Sequence, residues 1–274
     1  GMTQPGVARS LKELEEILGL ALFDRSRRSL TLTAFGDIFL RHAGLSIAAL
    51  RQGVEALDQA RTDTASVAIG ALPTVSSSLV PRAIERFGQS PMFCRTRVVT
   101  GPSVYLLAQL RVGDVDFVAG RMANPDAMSG LSFEHLYSER IALVVRPGHP
   151  LLKARPLDLR AIEEFQILMP PPGAIIRPAV ERLLLAHGVG RLRDEVETVS
   201  NSLGRAYAAG SDAVWIISEG VVAQDEAEGR LARLPVDTSE TLGPIGITTR
   251  TGSPLSPQAD ALLRAVREAV APTA

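Results

Sequence analysis

Leu40, Ala43, Ile47, Leu50, Val54 and Leu57 recur at spacings of 3, 4, 3, 4 and 3. On an α-helix that spacing aligns all six on one narrow stripe with the period of a coiled-coil seam. The positions around the stripe carry Arg41, Arg51, Gln52, Glu55 and Asp58, and hardly a helix breaker falls within residues 37–62. A narrow apolar stripe with polar flanks predicts a helix that pairs with a second copy of itself. The competing reading is a helix packed on its own domain, which would favour a wider apolar face.

The rest of the chain is organised around this rod. Residues 3–36 are charged and helical with a basic turn, and 61–66 form a polar hinge. From Val67 onward, β-branched runs alternate with helical runs, an α/β pattern. Strands are expected at 67–71, 97–100, 115–119, 140–146, 166–169, 213–217 and 245–249. Helices are expected at 73–87, 104–112 (closed by Gly113), 178–187, 202–209 and 256–270. The repeated β-α-β order predicts parallel sheets with right-handed crossovers. Two units of similar size, with the last strand and helix free to return to the first, describe a two-lobed clamshell.

Several function classes have no support. The net charge of −1 gives no global field toward nucleic acid or membrane, so any DNA contact must be local. One cysteine, Cys94, and four separated histidines make a metal site an unexpected feature. Cys94 itself reads as a buried core thiol. The first residues lack the charged and apolar regions of a signal peptide, and no run approaches a membrane span. Gly1 before Met2 reads as a cloning remnant. There is no Gly-x-Ser-x-Gly elbow, phosphate loop or dinucleotide fingerprint, so neither an enzyme nor a cofactor is expected. Asp114, Glu163 and Glu164 lack a plausible acid–base partner nearby in sequence. A transport-type solute-binding protein is the second rival, but it would need a signal peptide and no heptad helix.

The N-terminal wording is more specific. Thr3-Gln4-Pro5-Gly6-Val7-Ala8-Arg9-Ser10-Leu11-Lys12-Glu13-Leu14-Glu15 resembles the recognition helix of LysR-type transcriptional regulators. Leu22-Phe23-Asp24-Arg25 and Leu30-Thr31-Leu32-Thr33-Ala34-Phe35-Gly36 resemble that family's wing and the start of its linker helix. The resemblance implies an α/β chain with a winged helix-turn-helix over 1–36 and a linker and dimerisation helix over 37–63. A two-lobed effector domain, like a periplasmic binding protein, would fill 66–274. Lobe 1 would comprise 66–138 and 243–274, and lobe 2 would comprise 139–242. The implied partners are DNA, a small-molecule effector and further copies of the chain, as a homodimer or homotetramer. Residue chemistry agrees with the DNA assignment. Pro5 suits a helix's first turn. Gln4, Arg9, Ser10 and Lys12, beside Thr3, suit base edges and phosphates. Arg25, Arg27 and Arg28 form a basic turn suited to phosphate. The alternative is a solvated charged face, since Glu13, Glu15 and Glu16 nearly balance these charges. The family carries helices ahead of this motif, which here begins at residue 3. The helix-turn-helix is therefore expected to be truncated, and DNA binding by this polypeptide weak or absent.

The resemblance also implies an effector in the cleft between lobes. By position, the candidates are Thr74, Val75 and Ser76; Gly101, Pro102 and Ser103; Arg121; Pro172, Gly173 and Ala174; Asn201 and Ser202; and Trp215 to Ser218. Ser103 and Ser202 also read as N-caps, Arg121, Arg177 and Arg250 as surface residues, and Trp215 as core. The wording of 69–75, 100–107 and 131–139 resembles the subgroup that activates protocatechuate catabolism. A subgroup regulating sugar-binding proteins shares much of it. The first assignment implies an aromatic-derived dicarboxylate or tricarboxylate such as carboxymuconate, held by helix N-termini and one or two arginines.

Overall fold

The structure is a computed structural model describing residues 3–25, 30–62, 65–91, 94–154, 156–190, 192 and 194–270. Helix α1 (Gln4–Leu18) has Pro5 in its first turn and ends at Gly19, whose φ of 67° provides the left-handed cap. Strands β1 (Phe23–Asp24) and β2 (Thr31–Leu32) pair antiparallel as a small wing. Glu15 ties helix to wing. Its carboxylate accepts the N–H groups of Leu22 (2.8 Å) and Phe23 (3.0 Å) and pairs with Arg25 (3.0 Å). Those backbone donors, ahead of Arg25, hold the Glu15 pKa below its ordinary value. Arg27 and Arg28 lie outside the described residues.

Helix α2 (Ala34–Thr62) has 29 residues and is about 43 Å long at 1.5 Å per residue. It starts where Thr33 donates its hydroxyl to the Ala21 carbonyl and accepts the Gly36 N–H. One edge of α2 rests on its own chain: Ala48 is buried against Gly113, and Gly44 lies on the Arg111 carbonyl. Asp37 accepts the Ser129 hydroxyl at 3.0 Å, and Arg51 pairs with Asp114. The heptad stripe lies beside this edge and is largely open. Leu40, Ile47, Leu50, Val54 and Leu57 are exposed, and Ala43 is half-buried. Both sequence-based readings of this helix therefore have a face. Gly113 has a φ of 75°, and a Cβ there would sit 2.9 Å from the Ala48 Cα. Gly113→Ala is expected to cost about 1–2 kcal/mol from the left-handed backbone. It should also loosen α2, read as faster amide exchange around Ala48; unchanged exchange would remove this docking contact from the account.

Two five-stranded sheets follow. The first has the order β4 (Cys94–Thr100), β3 (Ala65–Ala71), β5 (Phe117–Arg121), β12 (Gly243–Arg250), β6 (Leu131–Glu139). The second has the order β11 (Ala232–Arg233), β7 (Ile141–Val145), β10 (Val214–Ser218), β8 (Ile167–Met169), β9 (Glu195–Glu197). The chain crosses between them at Arg140, between β6 and β7, and again just before Gly243. The sheets are mixed rather than wholly parallel. β3 is parallel to β4 and β5, but β12 is antiparallel to both β5 and β6. In the second sheet β10 is parallel to β8 and antiparallel to β7. The first strand after each crossing, β7 in the second lobe and β12 in the first, runs against the other strands of its sheet.

Three local readings also change. The helix expected over 73–87 is broken into α3 (Pro73–Ser76) and α4 (Leu79–Gly88). The Ser76–Ser78 run competes with helical hydrogen bonds, as the Ser76 hydroxyl bonded to the Pro73 carbonyl at 3.2 Å shows. Strand β6 and helix α8 (Glu219–Ala227) are elements that the periodicity reading does not contain. Cys94 is half-buried at the start of β4, and partial burial pushes its thiol pKa up.

The second lobe's core surrounds Trp215, which is fully buried over Gly204, where a Cβ would strike the indole. Trp215 is therefore core. The first lobe packs α4 and α9 (Pro257–Glu268) on one side of its sheet, with Phe87, Leu262 and Val266 in the core. α5 (Ser103–Arg111) packs through Leu106, Leu107 and Leu110 in a separate apolar cluster.

Candidate effector cleft and DNA-facing helix

Between the sheets lies a cleft of about 280 Å³. Its first wall is made by the end of β3 with α3 (Leu72, Pro73, Thr74), the start of α5 (Pro102, Ser103, Val104) and Arg121 at the end of β5. The facing wall is the loop after β8, from Pro171 to Ile176, with Val199 and Ile217. Strand ends converge here because strands finish where helices begin, leaving free N–H groups around a crevice.

Of the sequence-derived candidates, Thr74, Pro102, Ser103, Arg121, Pro172, Gly173, Ala174 and Ile217 line this cleft. Others do not. Val75 is buried in the first lobe's core. Gly101 packs on the Tyr105 ring. Ser218 and Trp215 are buried at β10, outside the lining. Ser202 is exposed and bonds only its neighbour Ser200, at 3.1 Å. Asn201 has a different position: its Nδ2 donates across the lobes to the Pro73 carbonyl at 2.9 Å and lies 3.5 Å from the Ser76 hydroxyl. It is a tie between the walls. The N-cap reading of Ser103 and Ser202 fails. Pro102 and Ser200 occupy those cap positions, and Ser200 accepts the Leu203 N–H.

Sequence reasoning missed most of the apolar lining: Leu72, Pro73, Val104, Ile175, Ile176 and Val199. Apolar residues at strand and helix ends look like core until the fold separates the lobes. It also missed Glu139, whose only signal is an ionisable pair, Glu139-Arg140, directly before the apolar run of β7.

Electrostatics single out Arg121. Among the described lining residues it is the only charged side chain. It is 8% exposed, its Nη2 donates to the Thr241 carbonyl at 2.5 Å, and its Nη1 has no hydrogen-bond partner. Burial lowers its pKa, opposed by the charges of Glu139 and Glu219. A Cβ on Gly243 would collide with the guanidinium, so Gly243 makes room for it. Arg121 is thus an interior cation rather than a surface residue. Arg177 and Arg250 are committed elsewhere. Arg177 pairs with Glu181, Glu195 and Glu197. Arg250 donates to the carbonyls of Leu110 and Val115. The cleft is an apolar slot with one unspent cationic donor, suited to an organic anion with a hydrophobic body.

On α1, Gln4, Arg9, Ser10 and Lys12 are all exposed, as is Thr3 just before it. Arg9 pairs with Glu13 at 3.1 Å and Lys12 with Glu16 at 3.7 Å. Exposed pairs of this kind are weak, roughly 0.3–0.5 kcal/mol, and readily exchanged for phosphate. Among the described residues no acidic, His or Cys cluster could hold a metal ion. No described helix is long and apolar enough to cross a membrane.

Comparison with known proteins gives this geometry a lineage. The family described as "LysR substrate binding domain" matches residues 60–271, and "Bacterial regulatory helix-turn-helix protein, lysR family" matches residues 1–37. The transcriptional regulator PcaQ of Agrobacterium fabrum is 46% identical over 269 residues, covering 98% of this chain and 86% of its own. Among solved structures, a full-length BenM E226K mutant superposes with a TM-score of 0.61 at 22% identity, over 98% of this chain and 88% of that one. An OxyR C206 mutant of Corynebacterium glutamicum gives a TM-score of 0.58 at 22% identity, over 98% and 85%. The helix and wing at the start of the chain, the long α2 and the two lobes have the fold of those structures, and the chain belongs to the LysR family of transcriptional regulators rather than to any class of enzyme.

Proposed function

We propose that the chain is a PcaQ-type regulator whose effector is an organic anion of protocatechuate breakdown, seated between the lobes on Arg121. The observation that carries this reading is that Arg121, the one charged residue in the described lining of a mostly apolar cleft, has a buried Nη1 without a hydrogen-bond partner. Thr74 and Ser103 add hydroxyl-bearing residues to the same lining, and the α5 N-terminus adds free N–H groups. The 46% identity to PcaQ favours the aromatic-acid subgroup over the sugar-linked one. The cytoplasm is the compartment that this assignment requires.

The signal has a physical route. α5 starts at the cleft with Ser103 and ends at Arg111 beside Gly113, where α2 rests. Effector binding that favours one lobe closure would move this rod and alter the seating of α2. It can shift the equilibrium only by its differential affinity for the two closures. α2 would then pass the change to a second copy through its open stripe, and from there to the DNA-facing helices carrying Gln4, Arg9, Ser10 and Lys12 and the wings carrying Arg25.

A thermal-shift panel tests the effector class. At 100 times its Kd, 3,4-dihydroxybenzoate or its ring-cleaved tricarboxylate should stabilise the protein by about 2.7 kcal/mol, roughly 5–10 °C. Stabilisation by neutral sugars, with none by these acids, would refute the assignment. The oligomer has its own test. Leu50→Glu with Leu57→Glu places charges on the seam, and sedimentation should show monomers where the parent chain self-associates. Unchanged mass would remove the stripe from the interface.

A further inference from the structure

Resting on that reading of the cleft, we infer that Glu139 is its proton-linked positioning residue: it supports Arg121 in the empty cleft and takes up a proton when an anion binds there. The carboxyl sits where the lobes join. Glu139 ends β6, faces Gly243 in the β6–β12 register, and stands one residue before the crossing into β7. It is 2% exposed. A Cβ on Gly220, in the first turn of α8, would lie 2.6 Å from its Oε2 and 3.6 Å from the Thr74 carbonyl, so three segments close on the group.

Its surroundings are unusual. The Ser218 hydroxyl and the Gly220 N–H come close enough to favour the charged form, yet neither carboxylate oxygen has a hydrogen bond of good geometry. Buried polar atoms are rarely left this way. The Thr74, Ser218 and Asn201 oxygens and the Arg121 Nη1, all at the lobe junction, share the condition. The charged or titratable groups around Glu139 are Arg121 from β5, Glu219 from α8 and Tyr137 from its own strand. Glu219 is engaged with the Arg140 N–H and with Arg233 of β11. Arg121 is therefore the nearby cation that favours ionised Glu139. Burial, the larger influence, opposes it and pushes the Glu139 pKa up to about 7.

The two groups balance each other. An anion arriving at Nη1 neutralises the cation and adds a negative neighbour, both of which disfavour the charged carboxylate. Glu139 then binds a proton from solvent, and the net charge added to the junction falls from −1 to zero. By linkage, anion affinity must drop as pH rises through this titration, up to tenfold per pH unit.

The full chain, labelled with 13C at the glutamate carboxyls, provides the test, the Glu139 resonance being the one absent in Glu139→Gln. Its titration should centre near neutral pH, move upward in Arg121→Met, and move upward again in the parent chain saturated with 3,4-dihydroxybenzoate. Calorimetry of that probe in buffers of different ionisation enthalpy should show uptake of up to one proton near pH 7.5. Glu139→Gln should bind it with no proton uptake and a flat pH profile, which a purely structural role would not produce. An ordinary carboxylate midpoint, or one unmoved by Arg121→Met, overturns the inference. Binding without proton uptake also overturns it, while leaving the effector assignment standing. If no aromatic acid or ring-cleaved product binds, the effector assignment falls, and the Arg121→Met comparison alone decides whether Glu139 answers to that charge.

Discussion

Arg121→Met is expected to weaken binding of the anionic effector about 100-fold while the protein remains folded. A hydrogen bond between charged partners contributes about 1.5–3 kcal/mol, and 100-fold corresponds to about 2.7 kcal/mol. The upper part of that range applies because the cleft walls are apolar and the guanidinium is buried. Methionine fills most of the arginine's stem volume, so the loss is chiefly of charge. The native hydrogen bond it removes is the one to the Thr241 carbonyl. Calorimetry with 3,4-dihydroxybenzoate measures the affinity and circular dichroism the fold. A loss under threefold, with the fold intact, would remove Arg121 from the anchor role.

Glu139→Gln should stabilise the protein in mildly alkaline solution and leave it unchanged in acid. A carboxyl whose pKa is raised in the folded state binds more protons folded than unfolded. Stability then falls as pH rises between the ordinary value of 4.5 and the folded value of about 7. The span corresponds to about 3 kcal/mol at about 1.4 kcal/mol per pH unit. Glutamine resembles the protonated acid in shape and stays neutral. The variant should therefore match the parent near pH 4 and exceed it by up to about 3 kcal/mol at pH 8, measured by denaturant unfolding at each pH. Equal stability at pH 8 would mean that the carboxylate finds solvent or a partner in solution.

Much of the architecture was legible without coordinates. The seam spacing marked α2, the β-branched runs marked seven strands, and Gly113 marked the end of α5. Half of the proposed cleft residues could be placed because helix starts after strands are where free N–H groups gather. The misses share a cause. β6 is an edge strand with a bulge near Gly246, so its period-2 signal is broken. The Pro73 helix is interrupted by serines whose effect depends on local hydrogen bonds. Glu139 resembles many other charged residues in the text, and only burial sets it apart.

The chain's own wording was enough to determine its family, its long seam-patterned helix and its alternation of strands and helices, since these depend on spacing along the backbone and on local conformational preference. Only the tertiary structure decided which way each returning strand runs, which apolar residues line a slot instead of filling a core, and which arginine keeps a donor free. Those outcomes depend on segments more than 100 residues apart, as when Thr241 meets Arg121, and on how much water their meeting excludes.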